Sequence, residues 1–349
     1  MLKIACVLSS RCTYYRQKKL FLAMEKDEDI DLTLIITSSL LENEYVNTFN
    51  EISVLFSART VPMGYYRGSI SSMAETASIL SEGYRTALAE GNYDCAMVIA
   101  DRFELLPFGM VAAYMGLPLI HIQGFENSGN IDDKVRNALS ALADLHLVSH
   151  YLARDKAKAQ GVRNVHLTGC PSLDLVKEAV NTMTTVETGH IMGMFHPHTK
   201  EVEAAASQTA YLLRLVKAYC ESFRKKLYWF GPNNDPGYSN IIKCLDIDFI
   251  HNMPGEDFYR LLAGADMIVG NSSCGIREAS YLGIPAVNVG LRQENRVREK
   301  NVLDCDFGGV LEAMESAARM PTCSSTLFGD GASSQRILKI IKGEYCGKR

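Results

Sequence analysis

Asp101, Glu126 and Asp132 are carboxylates at the ends of apolar runs or in the loops just beyond them. Such places hold an acid–base group firmly yet leave it open to a ligand. Asp101 has a structural rival role as cap of a helix starting near Glu104, and Asp132 as cap of the segment 133–143. Arg136 is spaced to pair with Asp132 at i,i+4 or to face a ligand. Glu126 sits in the glycine-rich turn GFENSGN with no helix to cap directly, which favours function. The second half offers the opposite chemistry. Its stretch GNSSCGIREASYLG, residues 270–283, follows the apolar run 267–269 and reads as a turn opening a helix. Ser272 and Ser273 then stand where unpaired backbone N–H groups point, at a terminus carrying roughly half a positive charge, which seats a phosphate. Glu278 cannot ligate phosphate, but it can accept hydrogen bonds from a ribose diol. The plain alternative is a capped helix after a glycine-rich turn. His196, followed by Pro197, is placed for a phosphate or a leaving group, and Arg11 has the guanidinium fork that suits a diphosphate. His121 lies inside an apolar strand and reads as a core residue, His198 as exposed, and PNND at 232–235 as a turn.

These residues fall at equivalent places in a repeating pattern. Apolar runs of strand length alternate with helical segments throughout, the mark of parallel α/β layers. Strands are expected at 3–9, 31–37, 95–101, 118–123 and 145–149, and again at 190–196, 226–230, 248–252, 267–269 and 285–290, with the run 165–168 leading into a linker. Helices are expected at 73–90, 104–115 and 133–143, with an amphipathic closing helix after Ser334. Gly169-Cys170-Pro171 begins what reads as a linker, and the polar, threonine-rich segment 181–189 marks the boundary. The expected division is 1–180, 181–333 and a closing helix at 334–349. In two such halves, ligands bind where the carboxyl ends of the strands face a cleft.

Composition narrows the function. A chain of 349 residues with 47% hydrophobic and 22% charged residues can build two ordinary soluble domains. A net charge of −4 gives no basic field for nucleic acid or an acidic membrane surface. No apolar run reaches eighteen residues, and MLKIACVLSS reads as a first strand. The ten cysteines form no CxxC pair and read as reduced thiols of a cytosolic protein. His196 and His198 are two apart and Asp132 and Asp133 adjacent, which is no standard metal-ligand spacing. Walker-type, GxGxxG and G-x-S-x-G motifs are absent, which disfavours ATP, NAD and serine-hydrolase chemistry.

Taken together, ADRFELL, HIQGFENSGNIDDKVRNALSALADLHLVS, TGCPSLD, FHPHTKE, GPNNDPG and GNSSCGIREAS…GIPAVNVGLRQ resemble the hydrolysing UDP-N-acetylglucosamine 2-epimerases of sialic-acid synthesis, in order and spacing from Asp101 to about Asn301. The resemblance implies two Rossmann-like halves facing a central cleft, as in glycosyltransferase-B folds, assembled as a dimer or larger. It implies that Asn271, Ser272, Ser273, Gly275 and Glu278 hold UDP, with Arg292 and His196 near the diphosphate and Arg11 reaching it from the first half. Asp101, Glu126, Asp132, Arg136 and His196 would carry the chemistry. A base takes the C2 proton while UDP leaves C1, and water adds to the 2-acetamidoglucal to give N-acetylmannosamine. No metal or redox cofactor is needed. Departures lie on the sugar side. The family's glutamate in an H-I-E-G-G-E-like segment is Gln123, its second glycine is Phe125, SSRCTYY replaces a G-x-R-A-D-Y-like loop, and TSSLLENE lacks the usual Gly and His. Glutamine cannot act as a base. Phe125 would suit an apolar C6 methyl, as in a 2,4-diacetamido-trideoxy sugar nucleotide. Rival readings are a glycosyltransferase and a non-catalytic UDP-sugar-binding protein of the same architecture.

Overall fold

The computed structural model describes residues 1–42, 45–62 and 70–346. The first domain strings together β1 (Leu2–Leu8), α1 (Arg11–Glu25), β2 (Ile30–Ile36), α2 (Val46–Leu55), β3 (Ser57–Thr60), α3 (Ile70–Gly91), β4 (Cys95–Ile99), α4 (Leu105–Tyr114), β5 (Leu119–Ile122), α5 (Asp132–Leu142), β6 (Leu145–Val148), α6 (Tyr151–Ala159), β7 (Val165–Leu167) and α7 (Ser172–Asn181). Its strands pair in parallel in the order β3-β2-β1-β4-β5-β6-β7. The central strand β1, LKIACVL, is apolar on both faces because helices cover both. Ile4, Cys6 and Leu8 point into the core shared with α1 and α7, whereas Ala5 and Val7 point towards α3 and α4.

The second domain contains β8 (His190–Met194), α8 (Ala205–Ser222), β9 (Lys226–Phe230), α9 (Tyr238–Cys244), α10 (Gly255–Ala263), β10 (Ala265–Gly270), α11 (Glu278–Leu282), β11 (Ala286–Val289), β12 (Val302–Cys305) and α12 (Val310–Ala317). These strands form a parallel sheet in the order β12-β11-β10-β8-β9. The last helix, α13 (Ser333–Tyr345), returns to the first domain. There Ile337, Leu338 and Ile341 join the core of α1, and the Asp174 carboxylate accepts from the backbone N–H groups of Ser333 and Ser334 at 2.8 and 2.6 Å. The molecule is therefore α/β, with two Rossmann-like domains facing a cleft.

Three expectations are corrected. Residues 248–252 contribute only an isolated bridge, Ile250 to Phe230. The segment after Gly169 opens α7 instead of beginning a linker, and residues 182–189 make the connection to β8. β3 and β12 were not foreseen, because both are four-residue strands at sheet edges, one polar and the other only half-buried. Strand order reverses direction between β1 and β4 in one sheet and between β8 and β10 in the other. The loops leaving each pair diverge, and the crevices between them face one another.

Candidate active site

A cleft of about 210 Å³ lies between the two domains at these switch points. Arg11, Asp101, Asp132, His196, Ser272, Ser273, Glu278 and Arg292 all line it. Four other expected residues do not: Glu126, Arg136, Asn271 and Gly275 stand behind the wall.

On the first-domain side, Ser10 caps α1, its hydroxyl accepting from Thr13 N–H at 3.3 Å, which fixes Arg11 as the first helical residue. Arg11 reaches across to the backbone carbonyl of His251 and to Asn252 Oδ1 at 3.4 Å. After β4, Ala100 adopts φ +63, a left-handed turn that sends Asp101 and Arg102 apart. Asp101 pairs with the buried Arg136. Arg102 crosses the cleft to Asn234 Oδ1 at 2.8 Å and Asp235 Oδ1 at 3.4 Å, backed by Glu104 at 3.0 Å. The capping roles fall away: the N-caps of α4 and α5 are Glu104 and Ile131, neither with a side-chain cap bond. Arg136 pairs with Asp133 at 2.6 Å and donates to the Glu126 carbonyl at 2.9 Å, so Asp132 is left out of that cluster. Asp132 accepts from Asn130 Nδ2 at 2.9 Å. Burial and the facing Asp235 carboxylate outweigh Arg292 and Arg102 and push its pKa up to about 6.

Glu126 is enclosed instead of facing the cleft. It pairs with Arg277 and, at 2.8 Å, with Arg296, and accepts from the Ser149 hydroxyl. Burial opposes its charge, but Arg277 and Arg296 prevail and hold the carboxyl down at about 2. Gln123, at φ +63, donates to Cys170 Sγ at 2.7 Å and accepts from Arg16 at 3.3 Å. Phe125 packs edge-on against His146 beside Val148 and Ala153 and faces no part of the cleft, so its expected contact with a sugar methyl is corrected. His121 is a core residue bonded to the Ala100 carbonyl at 2.9 Å, whereas His198, expected to be exposed, is buried.

The second-domain side is built on Gly270 at φ +140, where a Cβ would lie 1.8 Å from the Met194 carbonyl oxygen. Only glycine lets β10 end this close to β8. Asn271 then stitches the two strand ends together, accepting from His196 N–H at 2.7 Å and donating to the His196 carbonyl at 2.8 Å. His196 Nδ1 accepts from Asn233 N–H at 3.0 Å, so a neutral ring carries its proton on Nε2. Burial, aided by Arg292, lowers this imidazole to about 3. Arg292 is held by the carbonyls of Pro197 at 3.2 Å and Asn271 at 3.3 Å and by Asp235 at 3.2 Å. The PNND segment, read as a bare turn, thus supplies three residues to the cleft, Asn233, Asn234 and Asp235. The expected helix also differs: Ser273–Gly275 is one 3-10 turn, Ser272 accepting from Cys274 N–H at 3.4 Å, and α11 begins only at Glu278. Gly275 packs on Ala286 and Ile268. An anion here would meet serine hydroxyls and the N–H groups of a single turn, not the dipole of a long helix.

Arg277 and Arg296 were not singled out from sequence, and Arg102 and Asp235 were placed just beyond strand ends without a role. The dense charge in LRQENRVREK, residues 291–300, was the available signal, since such a run between strands is costly unless partnered. Among the described residues there is no cluster of three or more side chains suited to a metal ion and no helix long and apolar enough to cross a membrane.

Comparison with known proteins agrees with this architecture. Residues 22–342 match the family model described as UDP-N-acetylglucosamine 2-epimerase. A UDP-N,N'-diacetylbacillosamine 2-epimerase (hydrolyzing) of Legionella pneumophila is 27% identical over 97% of this chain and 95% of its own. A UDP-N-acetylglucosamine 2-epimerase of Neisseria meningitidis serogroup B is 29% identical over 98% and 95%. The fold is that of the Methanocaldococcus jannaschii UDP-GlcNAc 2-epimerase solved with UDP-GlcNAc and UDP, at TM-score 0.80 and 16% identity over 98% of this chain and 100% of that one. The chain belongs to the UDP-N-acetylglucosamine 2-epimerase family.

Proposed function

We propose that the protein is a hydrolysing 2-epimerase that converts UDP-N-acetylglucosamine, or a close UDP-linked 2-acetamido sugar, to the mannose-configured free sugar and UDP. One observation carries this reading: two differently prepared carboxyls, Asp101 and Asp132, line the same cleft as Arg292, His196, Ser272 and Ser273. Asp101, paired with Arg136, stays ionised and takes the proton from C2 as the C1–O bond to UDP breaks. Charge developing on the departing diphosphate meets Arg292, the Nε2–H of neutral His196 and the serine-bearing turn. Asp132, whose raised pKa of about 6 leaves it ready to take up a proton when the nucleotide binds, delivers that proton to C2 of the 2-acetamidoglucal from the other face. Water adds at C1 and returns its proton to Asp132. The proton taken from C2 goes to solvent, so the sum is UDP-sugar plus water to free sugar, UDP and one proton.

Incubation with UDP-N-acetylglucosamine in deuterium oxide, followed by NMR, tests this. Free UDP and a mannose-configured sugar deuterated at C2 are expected. UDP released only when an acceptor is added would establish a transferase instead, and UDP binding without turnover a binding protein. A second substrate reading is favoured by the apolar first-domain wall of Tyr45, Met73 and Phe103. That wall suits a sugar with a C6 methyl and a second acetamido group, and the Legionella relative carries such a substrate in its name. Comparing kcat/KM for the two UDP sugars decides between them.

A further inference from the structure

Two carboxylates from opposite walls, Asp132 and Asp235, line the cleft, and their partners are unequal. Asp235 accepts from Asn233 Nδ2 at 2.6 Å and pairs with Arg292 at 3.2 Å and Arg102 at 3.4 Å. Asp132 has Asn130 Nδ2 at 2.9 Å and, among the described residues, no ion pair. The other charges nearby are committed or distant from this choice. On its own helix Asp133 is tied to Arg136, and Arg136 to Asp101. Glu104 is bound to Arg102, Arg296 to Glu126, Arg16 to Gln123, and Arg11 to His251 and Asn252, while Glu278 lies on the second-domain wall and His196 is uncharged. So both arginines that could neutralise Asp132 are turned towards Asp235.

We propose that Asp235 is a positioning residue for the reaction: pinned by Arg102 and Arg292, its charge keeps the proton on Asp132 and ties that proton to nucleotide binding. This rests on the reading of Asp132 as an acid–base group. The physical causes are burial of Asp132 and, added to it, like-charge repulsion from Asp235 across a partly enclosed cleft, where two such carboxylates do not both ionise freely. An arriving diphosphate brings further negative charge and draws on Arg292, so UDP binding near neutral pH takes up a proton and UDP departure releases it.

The test uses the full-length protein without turnover. Carboxyl carbon NMR of the empty protein, with the Asp132 signal assigned by its loss in Asp132→Asn, reads the titration directly. The wild-type midpoint is expected near pH 6. Asp235→Asn removes a negative charge and frees two cations, so the midpoint falls by about one pH unit or more. Asp235→Glu restores it. Arg102→Met removes a cation while leaving Asp235, so it moves the midpoint up and covers the case in which Asp235→Asn does not fold. Calorimetry with UDP in buffers of different ionisation heat should show proton uptake in the wild type and less in Asp235→Asn. A merely structural role would lower affinity without moving the midpoint. A midpoint unmoved in both variants, or equal proton uptake, overturns the proposal. A moved midpoint with no turnover on any UDP sugar leaves the carboxylate pair standing and removes the reaction proposed above.

Discussion

A carboxylate's neighbours decide whether it takes a proton or gives one, and the two cleft carboxyls of the first domain differ in that respect. Asp101 is paired with Arg136, a guanidinium that is itself buried and held by Asp133 and the Glu126 carbonyl. Asp101→Asn keeps the shape and removes the base. Turnover is expected to fall by about 10²–10⁴-fold, the range of general-base contributions, while calorimetric UDP affinity stays unchanged because Arg292, His196, Ser272 and Ser273, the groups proposed to hold the diphosphate, stand on the opposite wall. Normal rates in this variant would take Asp101 out of the mechanism. The positions of Asp101, Asp132, His196, Ser272 and Ser273 in the cleft were legible in the sequence because apolar runs mark strands, and groups just beyond strand ends face the crevice of such sheets, whereas Arg292 was expected there only from the family resemblance. Glu126 and its arginines were not. An ion pair between residues 151 apart leaves no periodic trace, and a glutamate in a glycine-rich turn reads the same whether it faces a ligand or an arginine.

At the scale of elements, the turn between β10 and α11 was expected as a helix start and is a single 3-10 turn before a five-residue helix. The difference has a local cause. Gly270, at φ +140, presses the end of β10 against the Met194 carbonyl, so the chain turns tightly before it can wind. Composition signalled the glycines but not their tightness. A short turn concentrates anion binding in a few donors, which makes the serines matter individually. Ser272→Ala combined with Ser273→Ala is expected to weaken UDP binding by about 1–3 kcal/mol, the scale of lost charge-assisted hydrogen bonds. Isothermal calorimetry checks this, and unchanged affinity would remove the turn as the diphosphate seat. Edge strands escaped notice for a different reason. β3, SART, is exposed and polar, and β12, VLDC, is short, half-buried and broken by the exposed Asp304, so neither carries the unbroken apolar run that marks β4.

Across the whole molecule, the two domains are joined by ion pairs of unequal weight. Lys18 reaches Glu256 at 2.5 Å, and Arg102 reaches Asp235 at 3.4 Å across the cleft, and all four side chains keep some exposure to water. Glu126 is different: it, Arg277 and Arg296 are each 10% exposed or less, so removing one partner strands a buried charge. Such a loss costs about 3–5 kcal/mol, whereas an exposed pair contributes about 1 kcal/mol or less. Glu126→Gln is therefore expected to lower stability by about 3 kcal/mol at pH 7, since glutamine keeps some hydrogen bonding but no charge. The pH dependence gives the sign. The carboxyl falls from its ordinary 4.5 to about 2 in the folded protein. A depressed carboxyl stabilises fully above its unfolded value, and that stabilisation drains away as pH falls through the folded one. Urea unfolding of wild type and variant should thus differ most at pH 6–7 and converge between about pH 4.5 and 2. A gap that stays constant over that window would mean that Glu126 acts through shape alone and that the domain contact owes its strength to packing.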